Sequence, residues 1–136
     1  MTLAEKIFAL RAVFPFSQLR PEELLIVATG AMLRELPPGR VLVRKGSPLN
    51  HLYIRVAGDL VTESGTAVHP VLGTTVLLTG CEAPYTVTAG PSGYRGLCLP
   101  RGKFLTVVNE CPALLVGFFQ MPIINPAEPP KPVSAP

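Results

Sequence analysis

His51 and His69 are the only histidines in the chain, and Asp59 is its only aspartate. A metal centre on a β-framework wants two or three imidazoles plus a carboxylate projecting from facing strands. Two histidines isolated in sequence do not supply it, and they read as turn or surface residues. Nucleophilic catalysis needs a serine with a base and an orienting carboxylate, and such triads assemble from distant positions. Here Ser17, Ser47, Ser64 and Ser92 all stand in turn-like contexts, where serine has a structural reason to be. Cys81, Cys98 and Cys111 form an odd set with no C-x-x-C pair and no histidine at zinc-finger spacing. They are expected to be free thiols, mostly buried. These residues predict neither an enzyme nor a metal or cofactor site.

The bulk properties narrow the remaining classes. A chain of 136 residues has room for one hydrophobic core and therefore one site at most. No stretch reaches the roughly 18 to 20 uninterrupted apolar residues that a membrane-spanning helix needs. Glu5, Lys6 and Arg11 interrupt the first sixteen residues, and no small-residue cleavage site follows, so no secretory signal is expected and the location expected is cytoplasmic. The net charge of +3 comes from scattered lysines and arginines, without the basic run that tracks a nucleic-acid backbone. Charged residues make up 15% of the chain, against about 25% in an average soluble domain. The mean hydropathy is +0.39. Part of the surface is thus expected to be covered by another protein or a second copy.

Leu3, Ile7 and Leu10 recur at helical spacing, which predicts a short helix ending before Pro15. A second helix opens at Pro21, with Glu22 and Glu23 at the positive end of its dipole, and stops at Gly30. From Met32 the texture changes to short β-branched runs between turn residues, the pattern of an antiparallel sandwich or roll. The runs are 32–36, 40–44, 52–57, 59–63, 66–71, 85–89 and 94–99. Seven or eight short strands suffice for a jelly roll. After Arg101 helical character returns through Phe104, Val107 and Val108, and Pro112 starts a further helix reaching Phe119. The fold expected is mainly β, an antiparallel roll over residues 1–121 with N-terminal helices and a short C-terminal helical element. Residues 122–136 are Pro-rich and expected to be an extended tail.

Several segments carry a more specific likeness. Phe16-Ser17-Gln18-Leu19-Arg20-Pro21-Glu22-Glu23-Leu24 is followed by Pro38-Gly39-Arg40-Val41-Leu42-Val43-Arg44-Lys45-Gly46, then by Leu52-Tyr53-Ile54-Arg55-Val56-Ala57-Gly58. Val87-Thr88-Ala89 and Leu99-Pro100-Arg101-Gly102-Lys103-Phe104 complete the set. This order of two helices, a many-stranded roll and a closing helix resembles the cyclic-nucleotide-binding domain family, over residues 3 to 121. The alternative is an unrelated jelly roll such as a cupin.

The resemblance implies a Gly-Glu-Leu/Met-Ala motif opening a short helix, whose backbone N–H groups and a following Arg hold a cyclic phosphate while the Glu binds the ribose 2′-hydroxyl. Here Gly73 keeps its place, but Thr74 stands where the Glu should be and Ala83 where the Arg should be. No Arg or Lys lies between Leu72 and Val87, and Glu82 would repel an anion. Loss of one charge-assisted contact, about 1.5 to 3 kcal/mol, weakens a phosphate roughly ten-fold to a hundred-fold. Cyclic-nucleotide binding is therefore not expected, and Gly73, Thr74, Thr75, Val76, Ala83 and Pro84 form a degenerate cassette. The function expected is a non-catalytic interaction or accessory domain, with Met121, Ile123 and Ile124 of the tail as partner contacts. The alternative is a sensor in which Thr74, Thr75 and backbone N–H groups take a less anionic ligand. A DNA-binding regulator would need a recognition helix, which the sequence does not carry.

Overall fold

The structure is a computed structural model, and it describes residues 1–119. The proline-rich segment 122–136, with the predicted contacts Met121, Ile123 and Ile124, lies outside the described residues. Helix α1 spans Leu3–Arg11 and α2 spans Pro21–Gly30, joined through a 3-10 turn at Phe16–Gln18. Thr2 caps α1 reciprocally: its hydroxyl accepts the Glu5 N–H at 3.1 Å, and the Glu5 carboxylate accepts the Thr2 N–H at 2.7 Å. Lys6 Nζ donates to the Ala31 carbonyl at 2.7 Å and so ties α1 to the end of α2.

The strands are β1 (Met32–Leu36), β2 (Val41–Val43), β3 (His51–Thr62), β4 (Val71–Leu72) and β5 (Val87–Pro100), with α3 (Thr74–Thr79) between the last two. They form one antiparallel sheet in the order β1-β5-β3-β4, with β2 also on β5. Helices α4 (Arg101–Glu110) and α5 (Pro112–Phe119) close the chain, with the break where Pro112 cannot continue a helix. None of the helices in the described residues is long and apolar enough to cross a membrane.

The count of about eight strands is corrected to five in the described residues. Runs 52–57 and 59–63 are one strand, as are 85–89 and 94–99. Gly58, expected at a strand end, lies inside β3. Each of these long strands changes register where a boundary was expected: the pairing jumps from Gly58↔Tyr94 to Leu60↔Ala89, so residues 90–93 bulge out instead of ending the strand. The run 66–71 retains only Val71 of β4 and a bridge from Ala67 to Val61, because Pro70 has no N–H to offer a ladder.

Side chains alternate along β3 and β5 and divide the interior in two. Leu52, Ile54, Leu97 and Leu99 meet the helices, packing with Leu10, Phe16, Val27, Phe104, Leu114 and Phe118. Phe118 stacks obliquely on Phe104 and edge-on to Phe16, with centroids 5.7 and 6.0 Å away. Tyr53, Tyr94, Cys98, Leu60 and Val87 face the other way, into the roll.

Gly58 carries φ of 70°, and a Cβ there would strike the Gly93 backbone carbonyl. Gly39 has a similar φ of 79°, but a Cβ would meet nothing. Gly39→Ala is therefore expected to cost about 1 kcal/mol, the left-handed penalty alone. Gly58→Ala adds a backbone collision and is expected to cost about 2 kcal/mol or more. Urea unfolding of the two variants measures the difference.

Candidate functional site

The predicted cassette is one continuous structural unit. Gly73 precedes α3 with φ of 109°, and a Cβ on it would come within 2.9 Å of Leu49 Cδ2 and 3.2 Å of the His51 carbonyl oxygen. Only glycine permits this approach. Its carbonyl accepts the Leu77 N–H at 2.9 Å, which starts α3, and Gly80 with φ of 75° ends the helix after six residues. Leu77 is fully buried in the helix-side core, and its carbonyl accepts a hydrogen bond from Arg101 Nε at 3.0 Å. The cassette helix is thereby fastened to the first residue of α4.

The segment after α3 is held against the turn between β2 and β3. Ala83 donates its N–H to the Ser47 carbonyl at 2.9 Å and accepts the Gly46 N–H at 2.8 Å. Lys45 N–H donates to Thr86 Oγ1 at 3.0 Å. These bonds bring Ala83 and Pro84 over the same hollow as Gly73 and Val76. Four of the predicted site residues are thus brought together. Thr74 is in the first turn of α3, 6% exposed, and Thr75 follows it in the helix.

The hollow itself is small. Its volume is about 20 Å³, room for one water, whereas small-molecule pockets occupy about 300 to 1,000 Å³. None of the residues lining it is charged. Leu49, Val43 and Tyr85 fill the space, and sequence reasoning missed all three as site residues. Leu49 was hidden because it follows Pro48 in a turn-like stretch with no signal that its side chain points inward.

Deeper in the roll, Tyr53, Tyr94 and Cys98 crowd together, and burial pushes the pKa of each above its ordinary value. The Tyr94 hydroxyl is buried without a hydrogen-bond partner in the described residues, lying over Gly96, where a side chain could not fit. Cys98 and Cys111 are buried and Cys81 exposed, all as free thiols. His51 and His69 do not form a centre: no group of three or more potential metal ligands occurs among the described residues. His69 Nδ1 accepts the Val71 N–H at 3.1 Å, and burial lowers its pKa from the ordinary 6.5.

No family model matches the chain, and no curated protein sequence does either. Solved structures do match. The regulatory domain of Toxoplasma gondii protein kinase A, in complex with cAMP, is 24% identical over 79% of this chain and 45% of its own, with a TM-score of 0.66. The regulatory subunit of a cAMP-independent protein kinase A from Trypanosoma brucei is 23% identical over 88% of this chain and 46% of its own, with a TM-score of 0.72. The fold is that of a cyclic-nucleotide-binding domain. The sensor domain of the transcriptional regulator DNR from Pseudomonas aeruginosa shares it at 15% identity and a TM-score of 0.70, over 87% of this chain and 86% of its own. This chain spans less than half of either kinase regulatory chain.

Within this cyclic-nucleotide-binding fold, the two positions where the resemblance puts charges are both buried. Ala83 is 4% exposed and Thr74 is 6% exposed, each inside packed surroundings. An arginine at position 83 would enter an apolar wall without a ligand to pair with, and burying an unpaired charge costs several kcal/mol. Ala83→Arg is therefore expected to lower stability by about 3 kcal/mol without creating cAMP affinity. Chemical denaturation and calorimetric titration of the variant check the two halves of this expectation.

Proposed function

We propose that this chain is a non-catalytic domain of cyclic-nucleotide-binding fold that has given up its ligand and serves as an interaction or accessory subunit of a larger assembly. The observation that carries the reading is the small hollow of about 20 Å³ at Gly73, walled by neutral side chains. Missing charges alone would weaken a cyclic phosphate roughly ten-fold to a hundred-fold. A missing volume excludes the sugar and base as well, and it is the stronger effect. The Trypanosoma brucei protein, described as cAMP-independent, provides a precedent for this fold in a regulatory subunit without that dependence.

In this reading the segment Met121–Ile124 gives apolar contacts to a partner protein, and the domain works in the cytoplasm, where free thiols persist. The low proportion of charge on the chain, 15%, suits a surface that is partly covered. One observation favours the sensor alternative: Arg101 joins the end of α3 to the start of α4, so a ligand that moved α3 would also move the closing helices. That alternative requires the hollow to open.

Calorimetry of the full chain with cAMP, cGMP and cyclic dinucleotides separates the two. No saturable binding is expected up to about 1 mM. Micromolar binding of any of them, accompanied by a shift in the unfolding temperature, would refute the closed-pocket reading in favour of the sensor.

A further inference from the structure

Three neighbouring strands set one row of residues side by side. Gly96 of β5 stands opposite Arg34 of β1 on one side and Arg55 of β3 on the other. Directly paired residues of an antiparallel ladder project from the same face. Here that face is the roll side, because Leu36, Tyr53, Tyr94 and Cys98, each two residues from a member of the row, all pack in the roll. The register is unbroken from Met32↔Cys98 to Leu36↔Tyr94 and from His51↔Pro100 to Arg55↔Gly96, so no bulge inverts the alternation. The two arginines are therefore about 10 Å apart, two strand spacings, with no side chain at Gly96 between them. Both are exposed.

The Tyr94 hydroxyl lies in the space over Gly96. A Cβ on Gly96 would collide with that oxygen and come within 2.8 Å of the Ile54 carbonyl oxygen. Tyr94 is 5% exposed, and its hydroxyl is buried without a hydrogen-bond partner in the described residues. Buried polar groups are bonded in the large majority of cases, so an orphan of this kind points to a missing partner. Burial raises its pKa, so the hydroxyl keeps its proton and can donate it. The charge of Arg55 opposes that rise at Tyr94, and the charge of Arg34 does so at Tyr53 and Cys98, as expected of two guanidinium groups on this side of the sheet.

The row carries an excess of positive charge. Arg55 Nη1 donates to Asp59 Oδ1 at 2.8 Å. Arg34 has no ion pair among the described residues, and its neighbour Glu35 is paired with Arg95 on the opposite face. Two guanidinium groups thus face one carboxylate, beside a hydroxyl proton that lacks an acceptor. Neither guanidinium can accept that proton, since arginine offers donors only.

We propose that Arg34, Arg55 and the Tyr94 hydroxyl form an anion site for a phosphate monoester group, which bridges the two guanidinium groups and accepts the hydroxyl proton. Such a group carries about −1.5 to −2 charge and three terminal acceptor oxygens, enough for two guanidinium forks and one hydroxyl. A cyclic diester, with one charge and two free oxygens, fits less well. The site lies apart from the hollow at Gly73 and does not depend on whether that hollow takes a ligand.

Inorganic phosphate is the probe, titrated into the full chain at constant ionic strength with chloride as the balancing ion. The unfolding temperature and the amide NMR signal of Gly96 are followed together, and both are expected to saturate with a Kd in the millimolar range. Arg34→Gln and Arg55→Gln are each expected to weaken phosphate about ten-fold, the loss of one charge-assisted contact, with the fold kept because both side chains are exposed. Tyr94→Phe separates binding from stability. It removes an orphaned hydroxyl, so without phosphate the variant is expected to unfold at no lower a temperature, while phosphate binds about ten-fold more weakly. Phosphate acting no differently from chloride overturns the proposal. So does binding indifferent to both arginine variants, which assigns an adventitious ion only, or binding indifferent to Tyr94→Phe, which leaves the hydroxyl a packing group.

Discussion

The long antiparallel pairing of β3 with β5 is the interaction on which the rest of this molecule depends. It runs from His51↔Pro100 to Thr62↔Val87, and because side chains alternate along it, the register of Leu52–Ile54 against Leu97–Leu99 sends successive residues into two different interiors. Ile54 and Leu97 meet the helices while Tyr53 and Cys98 enter the roll. A slip by one position would exchange the two sets, putting a tyrosine hydroxyl among the helices and leaving the roll lined by branched aliphatics. The bulges at Val56 and at residues 90–93 do not weaken this assignment, since they let two strands bend through both halves of the roll without breaking the ladder.

The same register explains why the roll is full. Tyr53 and Tyr94 project from opposite strands into the same space, and Leu49 and Val43 come in from the turn-flanking segments. Aromatic side chains of this size bury about 150 to 250 Å² each, so two of them occupy much of the interior of a small roll. Gly73 and Gly96 mark the adjustment: each stands where a side chain would collide with a neighbour, Leu49 in one case and Tyr94 in the other. Filling the interior costs the unpaired Tyr94 hydroxyl, a penalty of about 1 to 3 kcal/mol that the surrounding apolar contacts offset.

Much of this architecture was legible because local signals and tertiary fold agree. Pro21 opens α2, Gly30 ends it, Pro112 restarts the last helix, and Gly39 and Gly46 take the left-handed conformations that the turns require. Gly73, Val76, Ala83 and Pro84, which the resemblance assigns to one cassette, line one hollow. Two things were not legible. Strand continuity through Gly58 and through Gly90–Gly93 was hidden because glycine at a bulge and glycine at a turn look alike in sequence. The closure of the hollow was hidden because the residues that close it, Leu49 and Val43, are ordinary apolar residues whose inward direction only the fold decides.

A hollow of this size bears on how such a domain can act. The link from α3 through Leu77 and Arg101 to α4 is intact, with a hydrogen bond of 3.0 Å. A ligand shifts a conformational equilibrium only by the difference in its affinity for the two states. The Arg101 contact fastens the end of α3 to the start of α4. Large apolar side chains are exposed on the helices, Phe8 on α1 and Leu25 and Ile26 on α2, and side chains of this kind are suited to association with a protein surface.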